Sequence, residues 1–212
     1  DMGYKAAFLL EVIHMPLERD FAEALAKSLR ESIRKHLVDF SAFCVKGNCQ
    51  TSQAMAIFYG VFTKTEAVNG FQQLLKFIHA EDEHMDTGIL GARVLFHVLS
   101  EFGYSNLAYR MITRTDFPSY GNWIVRGATS LWEEFQPENA VVTSRNHHFF
   151  GDVSHWMIKQ IAGIRYNPSG SDGAKAVIHP HFIDALTFAQ ASHETPHGKL
   201  NVYWVRRNDE IF

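Results

Sequence analysis

A helical periodicity is the feature of this sequence that most restricts its fold. Between residues 18 and 38, apolar side chains recur every four positions with charged residues between them. The recurring apolar residues are Phe21, Leu25, Leu29, Ile33 and Leu37. Residues four apart lie on one face of an α-helix, so the segment predicts an amphipathic helix with a single apolar stripe to bury.

Similar patterns predict helices along most of the chain. The predicted segments are about 4–14, 51–62, 65–79, 89–102, 105–114 and 148–163, with a shorter helix at about 123–134. Short links join successive segments, which favours helices packed as antiparallel hairpins. No repeat of fixed length is present, so an ordinary solenoid is not predicted.

The pattern changes after residue 165. The turn-rich stretch YNPSGSDG, at 166–173, is followed by three runs with alternating polar and apolar residues: AKAVIHP, FIDALTFAQAS and KLNVYWVRR. Alternation of this kind is typical of β-strands. The chain is therefore predicted to be mainly α, with stacked helical hairpins over 1–165 and a β segment over 166–212.

Charge and hydropathy restrict the partners of the chain. Its 212 residues include 20 Lys and Arg and 23 Asp and Glu, which leaves a net charge of −3. A chain of this charge has no basic face to attract nucleic acid. No apolar run approaches the roughly 20 residues that span a bilayer, so no membrane partner is expected. The residues do not indicate a compartment.

The sequence predicts no metal site. Cys44 and Cys49 are separated by four residues and lack the nearby further ligands of a zinc site, so both are expected to be free thiols. The stretch HAEDEH, at 79–84, lacks the H-E-x-x-H spacing that puts two imidazoles on one helix face. We expect it to form a solvated acidic loop.

A carboxylate pair beside a tryptophan is the first candidate for chemistry. In GATSLWEEF (127–135), Glu133 and Glu134 follow Trp132. An aromatic neighbour shields a carboxylate from water and can tune its pKa for general acid or base work. The alternative is a solvated helix end with an incidental aromatic residue. In a helix, adjacent positions face about 100° apart, so only one of the two glutamates would point inward.

A histidine pair is the second candidate. In SRNHHFFGDVSHW (144–156), Asn146, His147 and His148 precede a predicted helix. Donors and neutral imidazoles at such a position can bind sugar hydroxyls or orient a water. The alternative is N-terminal capping with incidental histidines.

An aromatic turn is the third candidate. The segment FPSYGNWI (117–124) is a proline-anchored turn with Phe117, Tyr120 and Trp123. Its rings would either stack on a sugar or fix the turn in the core.

Taken in order, these segments resemble one enzyme family. The run TGILGARVLFHVLSEFGYSNLAYRMI (87–112) is followed by the aromatic turn, GATSLWEEF and SRNHHFFGDVSHWMIKQIAGI. The succession is similar to the C-terminal part of the catalytic domain of bacterial α-L-rhamnosidases, in the six-hairpin glycosidase superfamily. The resemblance, over roughly residues 50–205, implies a partial (α/α)6 toroid within 1–165. It implies the start of a truncated β-sandwich within 166–212.

The resemblance also implies roles for the matching residues. Glu133 matches the glutamate of the family's G-A-T-x-x-W-E motif, the general base of an inverting hydrolysis; Glu134 is the alternative if the register differs by one. His147 matches the histidine of the N-H motif, which contacts the sugar. Tyr120 stands where the family usually has tryptophan in a Pro-Ser-Trp turn. The neighbours also expected to bind the sugar are Trp132 and His148.

The implied reaction removes terminal α-L-rhamnose from a saccharide and needs no metal or organic cofactor. It requires two carboxylates about 6.5–9.5 Å apart. The family's general acid lies in an upstream stretch with Asp and Arg, and nothing in residues 1–50 resembles it. We therefore expect a fragment that is inactive alone. Its expected partners are the missing N-terminal half of its own catalytic domain and, through self-association, a second copy.

Two other functions remain consistent with the residues. Another six-hairpin glycosidase or a polysaccharide lyase would keep the toroid, although a lyase needs a basic patch and 120–150 holds only Arg126 and Arg145. A non-catalytic helical module would bind carbohydrate through the aromatic turn. Such a module has no need for a buried carboxylate that faces the same cavity as His147.

Overall fold

The computed structural model describes residues 1–137, 139–141, 144–166, 176–196, 198–208 and 210–212. The described part contains eight α-helices: α1 (Met2–Val12), α2 (Pro16–Leu37), α3 (Gln50–Phe58), α4 (Lys64–Ala80), α5 (Ile89–Glu101), α6 (Ser105–Thr113), α7 (Tyr120–Val125) and α8 (Asp152–Trp156). A π-helical turn, Met157–Ile161, continues α8. The prediction of a mainly α chain is confirmed. None of the described helices is long and apolar enough to cross a bilayer.

Short antiparallel sheets complete the structure. Their strands are β1 (Val38–Asp39), β2 (Cys44–Val45), β3 (Ile164–Tyr166), β4 (Ala176–Ile178), β5 (Phe188–Thr195), β6 (Gly198–Arg207) and β7 (Glu210–Ile211). Strand β1 pairs with β2, β3 with β4, and β6 with both β5 and β7. Of the three runs predicted as strands after residue 173, the first contains β4 and the third lies within β6, whereas the second becomes a strand only from Phe188, where β5 begins. Most of the predicted turn at 166–173 lies outside the described residues.

The chain forms two compact units, and the first comprises Asp1–Ala80. Helix α1 packs on α2 and α3 packs on α4. The first pair approaches closely: a Cβ at Gly3 would lie 2.7 Å from that of Ala26. Near the second pair, a small core forms around Val45, Ala56 and Phe62.

Helix α2 is fastened to the α3–α4 connection by polar contacts. Arg30 donates to the carbonyl oxygen of Gly60 at 2.6 Å. Arg34 donates to the carbonyl of Val61 at 2.7 Å, and its two terminal nitrogens reach the Glu66 carboxylate at 2.7 and 2.9 Å. Charged groups therefore make the contacts of α2 with this connection.

The apolar stripe of α2 is exposed. The sequence predicts one apolar stripe on this helix, and the residues of the stripe keep 36–70% of their surface exposed. They are Phe21, Leu25, Leu29, Ile33 and Leu37. The reason is that α2 directs Ala26 toward α1 and its arginines toward the α3–α4 connection.

The second unit, Glu81–Phe212, is built around α5. Helices α6 and α8 pack against α5, which buries nine of its thirteen residues. The indole nitrogen of Trp156, at the end of α8, donates to the Phe96 carbonyl at 3.0 Å and to Ser100 Oγ at 2.9 Å. In the same way, Trp204 on β6 donates to the Ile161 carbonyl at 2.9 Å. Two buried indoles therefore fasten α8 and the C-terminal sheet.

Several predicted boundaries were wrong. The helix expected at 123–134 ends at Val125, because Gly127 adopts a φ of +82° and closes the helix end. Glu133 and Glu134 therefore lie in irregular structure, where adjacent side chains are not set about 100° apart as they are in a helix. The helix expected from 148 begins at Asp152. Strands β1 and β2 were not predicted; Cys44 and Cys49 are free thiols, as predicted.

Candidate active site

The segments that carry Glu133 and His147 lie side by side. The backbone N–H of Glu133 donates to the Ser144 carbonyl at 3.0 Å, and that of His147 donates to the Leu131 carbonyl at 2.8 Å. Glu133 and His147 are fourteen positions apart in the sequence, yet these two bonds join their segments. Both side chains keep an intermediate exposure, so each remains accessible to a small molecule.

Trp132 anchors the Glu133 segment. Its ring is 3% exposed, and the guanidinium carbons of Arg126 and Arg145 lie 5.1 and 5.0 Å from its centroid. Attraction between a cation and an aromatic face is strongest for tryptophan. Arg126 also donates to the Gln136 carbonyl at 2.6 Å. The two arginines and the indole thus hold in place the segment that contains Glu133.

An aromatic core supports this segment from the interior. Trp123 stacks on Phe135 with centroids 4.2 Å apart, and Tyr120 and Phe150 pack edge-on around them. The Tyr120 hydroxyl donates to the Phe150 carbonyl at 3.0 Å. Burial, with a smaller contribution from the Asp152 carboxylate, raises the pKa of Tyr120, so the hydroxyl stays protonated as a donor.

The exposure of Tyr120 bears on its predicted contact with sugar. Only 7% of its surface is exposed, and its hydroxyl is already bonded to the segment that follows His147. Of the two functions predicted for the aromatic turn, this geometry favours the one in which the ring fixes the turn in the core.

The turn before α7 is tightly constrained. Ser119 Oγ accepts from the backbone N–H of Asn122 at 2.9 Å and donates to the Arg114 carbonyl at 2.6 Å. A Cβ at Gly121 would lie 2.2 Å from the Arg114 carbonyl oxygen, so this position has no room for a side chain. These constraints explain how the sequence places Tyr120 and Trp123 in the core.

His147 has a defined orientation of its hydrogen-bonding groups. The backbone N–H of Phe149 donates to His147 Nδ1 at 3.3 Å. A neutral imidazole that accepts at Nδ1 carries its proton on Nε2, so Nε2 is the available donor. The neighbouring His148 and Phe149 are exposed, and the ring of Phe149 lies 3.8 Å from that of His147. A donor and exposed rings in one place suit a saccharide, which offers hydroxyls and apolar ring faces.

The structure brings together three of the predicted residues, Glu133, Trp132 and His147, on two paired segments. His148 lies beside them and Tyr120 lies in the supporting core. The sequence analysis gave Arg126 and Arg145 no part in this site, but the structure places both against the ring of Trp132. Their only sequence signal is the presence of two isolated arginines close to an aromatic-rich motif.

The HAEDEH stretch has polar contacts of its own. His84 Nε2 lies 3.0 Å from Asp116 Oδ2, and Arg114 pairs with the same carboxylate. These bonds hold the pKa of Asp116 well below its usual range, with the Arg114 hydrogen bond as the largest cause. Contacts of this kind suit a loop that braces the aromatic turn.

A family model for the bacterial alpha-L-rhamnosidase 6 hairpin glycosidase domain matches residues 12–161. The alpha-L-rhamnosidase of Alteromonas sp. (strain LOR) is 29% identical over an alignment of 197 residues that covers 88% of this chain and 21% of the relative. An alpha-L-rhamnosidase of Streptomyces avermitilis is 32% identical over an alignment of 171 residues that covers 77% of this chain and 16% of the relative. The chain thus spans about a fifth of the length of the curated relatives it matches.

Solved structures agree with these matches. The Streptomyces avermitilis alpha-L-rhamnosidase complexed with L-rhamnose superposes with a TM-score of 0.87 and 27% identity, over 99% of this chain and 21% of that one. The enzyme from Dictyoglumus thermophilum gives a TM-score of 0.86 and 25% identity, over 97% of this chain and 23% of that one. The predicted likeness to part of a six-hairpin glycosidase is confirmed. The chain belongs to the bacterial α-L-rhamnosidase six-hairpin glycosidase family.

Proposed function

We propose that the protein containing this chain removes terminal α-L-rhamnose from saccharides by inverting hydrolysis, with Glu133 as the general base. The observation that carries the proposal is the backbone pairing of the Glu133 and His147 segments, in a chain of the rhamnosidase family. A carboxylate and an imidazole donor are thereby available to one bound sugar. The relatives named above as alpha-L-rhamnosidases supply the substrate class.

In this mechanism Glu133 takes a proton from a water molecule as the water oxygen attacks the anomeric carbon. The bond from that carbon to the leaving oxygen breaks on the opposite face, and a second carboxylic acid protonates the leaving oxygen. His147 Nε2 donates to a sugar hydroxyl. Trp132 supports the base, His148 contributes a further polar contact, and Tyr120 positions the segment that follows His147.

The general acid belongs, in our proposal, to a part of the protein outside this chain. The chain spans about a fifth of its relatives' length, which leaves ample length for another catalytic carboxylate. We therefore expect the 212-residue chain alone to hydrolyse rhamnosides negligibly. The exposed stripe of α2 is the surface that the rest of the protein would cover, and in the isolated chain a second copy would cover it.

The decisive experiment compares the full-length protein with Glu133→Gln on a chromogenic α-L-rhamnoside. Loss of the base should lower kcat about a thousandfold with KM little changed, which corresponds to about 4 kcal/mol of transition-state stabilisation. Glu134→Gln is the matched control and should retain most of the activity. Equal activity of Glu133→Gln and the parent would refute the assignment of the base.

The stereochemistry is tested separately by proton NMR of the sugar released in the first minutes. Inversion predicts the β-anomer of L-rhamnose before mutarotation, since water attacks opposite the leaving group. First release of the α-anomer would exclude the proposed mechanism. A parent that ignores rhamnosides would refute the substrate.

A further inference from the structure

His97, Asp152 and His155 form a cluster that has no role in the proposed hydrolysis. His97 lies on α5, and the other two residues lie three positions apart on α8 and therefore on one face of that helix. One nitrogen or oxygen of each side chain lies within 4.8 Å of those of the other two. We propose that this cluster binds a divalent transition-metal ion, with zinc as the best fit.

The distances within the cluster suit tetrahedral coordination. His97 Nε2 lies 3.1 Å from Asp152 Oδ2, and His155 Nδ1 lies 3.8 Å from Asp152 Oδ1. Two ligands at about 2.0–2.1 Å from a zinc ion and at the tetrahedral angle lie about 3.4 Å apart. Small rotations of Asp152 and His155 would therefore bring all three ligands to one ion, with a fourth position for water.

The ligand types indicate which metal binds. Imidazole nitrogens suit zinc, copper, nickel and iron, whereas magnesium and calcium prefer sites made of oxygen ligands. Two imidazoles and one carboxylate therefore favour zinc over the alkaline-earth ions. The three-ligand set also resembles zinc sites that keep one coordination position open.

Burial defines one entrance to the site. His97 is 2% exposed and forms the floor of the cluster, whereas the side chains of Asp152 and His155 are 25% and 58% exposed. An ion would enter from the α8 side and lose most of its water on binding. A buried imidazole held by a rigid helix is a preorganised ligand, because α5 is packed on two sides by other helices.

The hydrogen bonds on the Nδ1 side of His97 determine which ring nitrogen carries the proton. Gln160 Nε2 lies 3.3 Å from His97 Nδ1 and donates to a Glu101 carboxylate oxygen at 2.9 Å. Gln160 Oε1 accepts from Arg165 at 2.9 Å, which fixes the orientation of the amide. Without metal, His97 therefore accepts at Nδ1 and donates Nε2–H to Asp152.

Metal binding uses the lone pair of His97 Nε2, so the ring proton must move to Nδ1. The Nδ1–H group would then face the amide N–H of Gln160, which is also a donor. The Gln160 amide must therefore rotate so that its oxygen accepts from Nδ1–H. Histidine ligands in proteins usually donate this second N–H to an acceptor such as a carboxylate. We therefore expect a zinc affinity below that of closed four-ligand sites.

The test is a titration of chelator-treated full-length protein with zinc chloride by calorimetry, and with cobalt chloride by visible absorption. The parent should bind one zinc ion, and cobalt should give the intense visible bands of tetrahedral coordination. His155→Ala should weaken zinc binding at least tenfold and abolish those bands. Asp152→Asn should weaken binding in the same direction.

His193→Ala removes an exposed histidine from β5 and is the matched control, which should bind as the parent does. Absence of saturable binding by the parent would overturn the proposal. Equal binding by His155→Ala and the parent would overturn it too, because zinc would then occupy other histidines. No glycoside is present in the titration, so its outcome is independent of the proposed hydrolysis.

Discussion

Helices α2 and α5 both carry strong apolar patterns, yet their surroundings are opposite. Helix α5 buries nine of its thirteen residues among α6, α8 and the aromatic core. Helix α2 has twenty-two residues and buries only Ala26 fully, while its apolar stripe stays exposed. An apolar pattern therefore predicts that a helix has a partner, but does not predict that the partner lies in the same stretch of chain.

The strongest test of this contrast is a pair of leucine-to-alanine substitutions. Leu99 on α5 is 0% exposed, so Leu99→Ala should lower the free energy of unfolding by about 2–5 kcal/mol through lost burial and a cavity. Leu29 on α2 is 55% exposed, and Leu29→Ala should change this free energy by less than about 0.5 kcal/mol in the isolated chain when it is diluted until monomeric. Urea unfolding followed by circular dichroism measures both. Similar losses in the monomer would mean that the stripe of α2 is covered by another part of the same chain.

A second substitution tests the contact between α5 and α8. Trp156→Phe keeps an aromatic ring but removes the N–H that bonds to Phe96 and Ser100, and it leaves a smaller ring in a fully packed site. We expect a loss of about 1–3 kcal/mol in the free energy of unfolding. Tyr203→Phe, at a position 56% exposed, is the control and should be nearly neutral. A neutral Trp156→Phe would show that α8 is held by other contacts.

The polar fastening of α2 predicts a dependence on pH. The Arg34 hydrogen bond is the largest cause that lowers the pKa of Glu66, from 4.5 to about 2. Because the folded-state pKa is the lower one, the stabilisation is fully present above about pH 4.5 and is lost as pH falls toward 2. Since both side chains keep some contact with water, we expect the pair to contribute about 1 kcal/mol to the free energy of unfolding.

Glu66→Gln should remove this part of the pH dependence, measured as the free energy of unfolding between pH 6 and pH 3. Glu31→Gln, an exposed position on α2, is the matched control and should leave the dependence as in the parent. An unchanged slope in Glu66→Gln would show that the Arg34 pair contributes little to holding α2.

The smallest expected effect on stability, but a clear one on assembly, comes from the stripe itself. Replacing Phe21 and Leu25 together by glutamate should change the free energy of unfolding of the monomeric chain by less than about 0.5 kcal/mol, since both are exposed there. The isolated parent chain should self-associate in sedimentation velocity and bind an apolar dye, and the double variant should do neither. A monomeric parent without dye binding would contradict the proposed role of the stripe.

Much of the fold follows from periodicity alone, because long amphipathic segments such as 16–37 and 64–80 carry many repeats of the helical pattern. The end of α7 could not be predicted from periodicity, because it depends on the positive φ of one glycine, Gly127. The two-residue strands β1 and β2 are too short to show any alternation. The sequence also did not show that the stripe of α2 is exposed, because a pattern shows which face of a helix is apolar and does not identify what covers it.

For the site, sequence motifs identified Glu133 and His147 as candidates, but not the backbone bonds that pair their segments. Those bonds join residues eleven or more apart in irregular structure, which leaves no periodic signal. The His97 cluster was missed for a similar reason. His97 comes from a different helix and is more than fifty residues away from Asp152 and His155, so no short motif contains all three.

The positions of the tryptophans have a consequence for how this protein can be observed. The chain has four, at positions 123, 132, 156 and 204, and all lie in the second unit with 1–3% of their surface exposed. Indole emission therefore reports on that unit, while the first eighty residues contribute none. Far-ultraviolet dichroism, by contrast, reports on the helices of both. The difference between the denaturation midpoints given by fluorescence and by dichroism measures how independently the two units unfold.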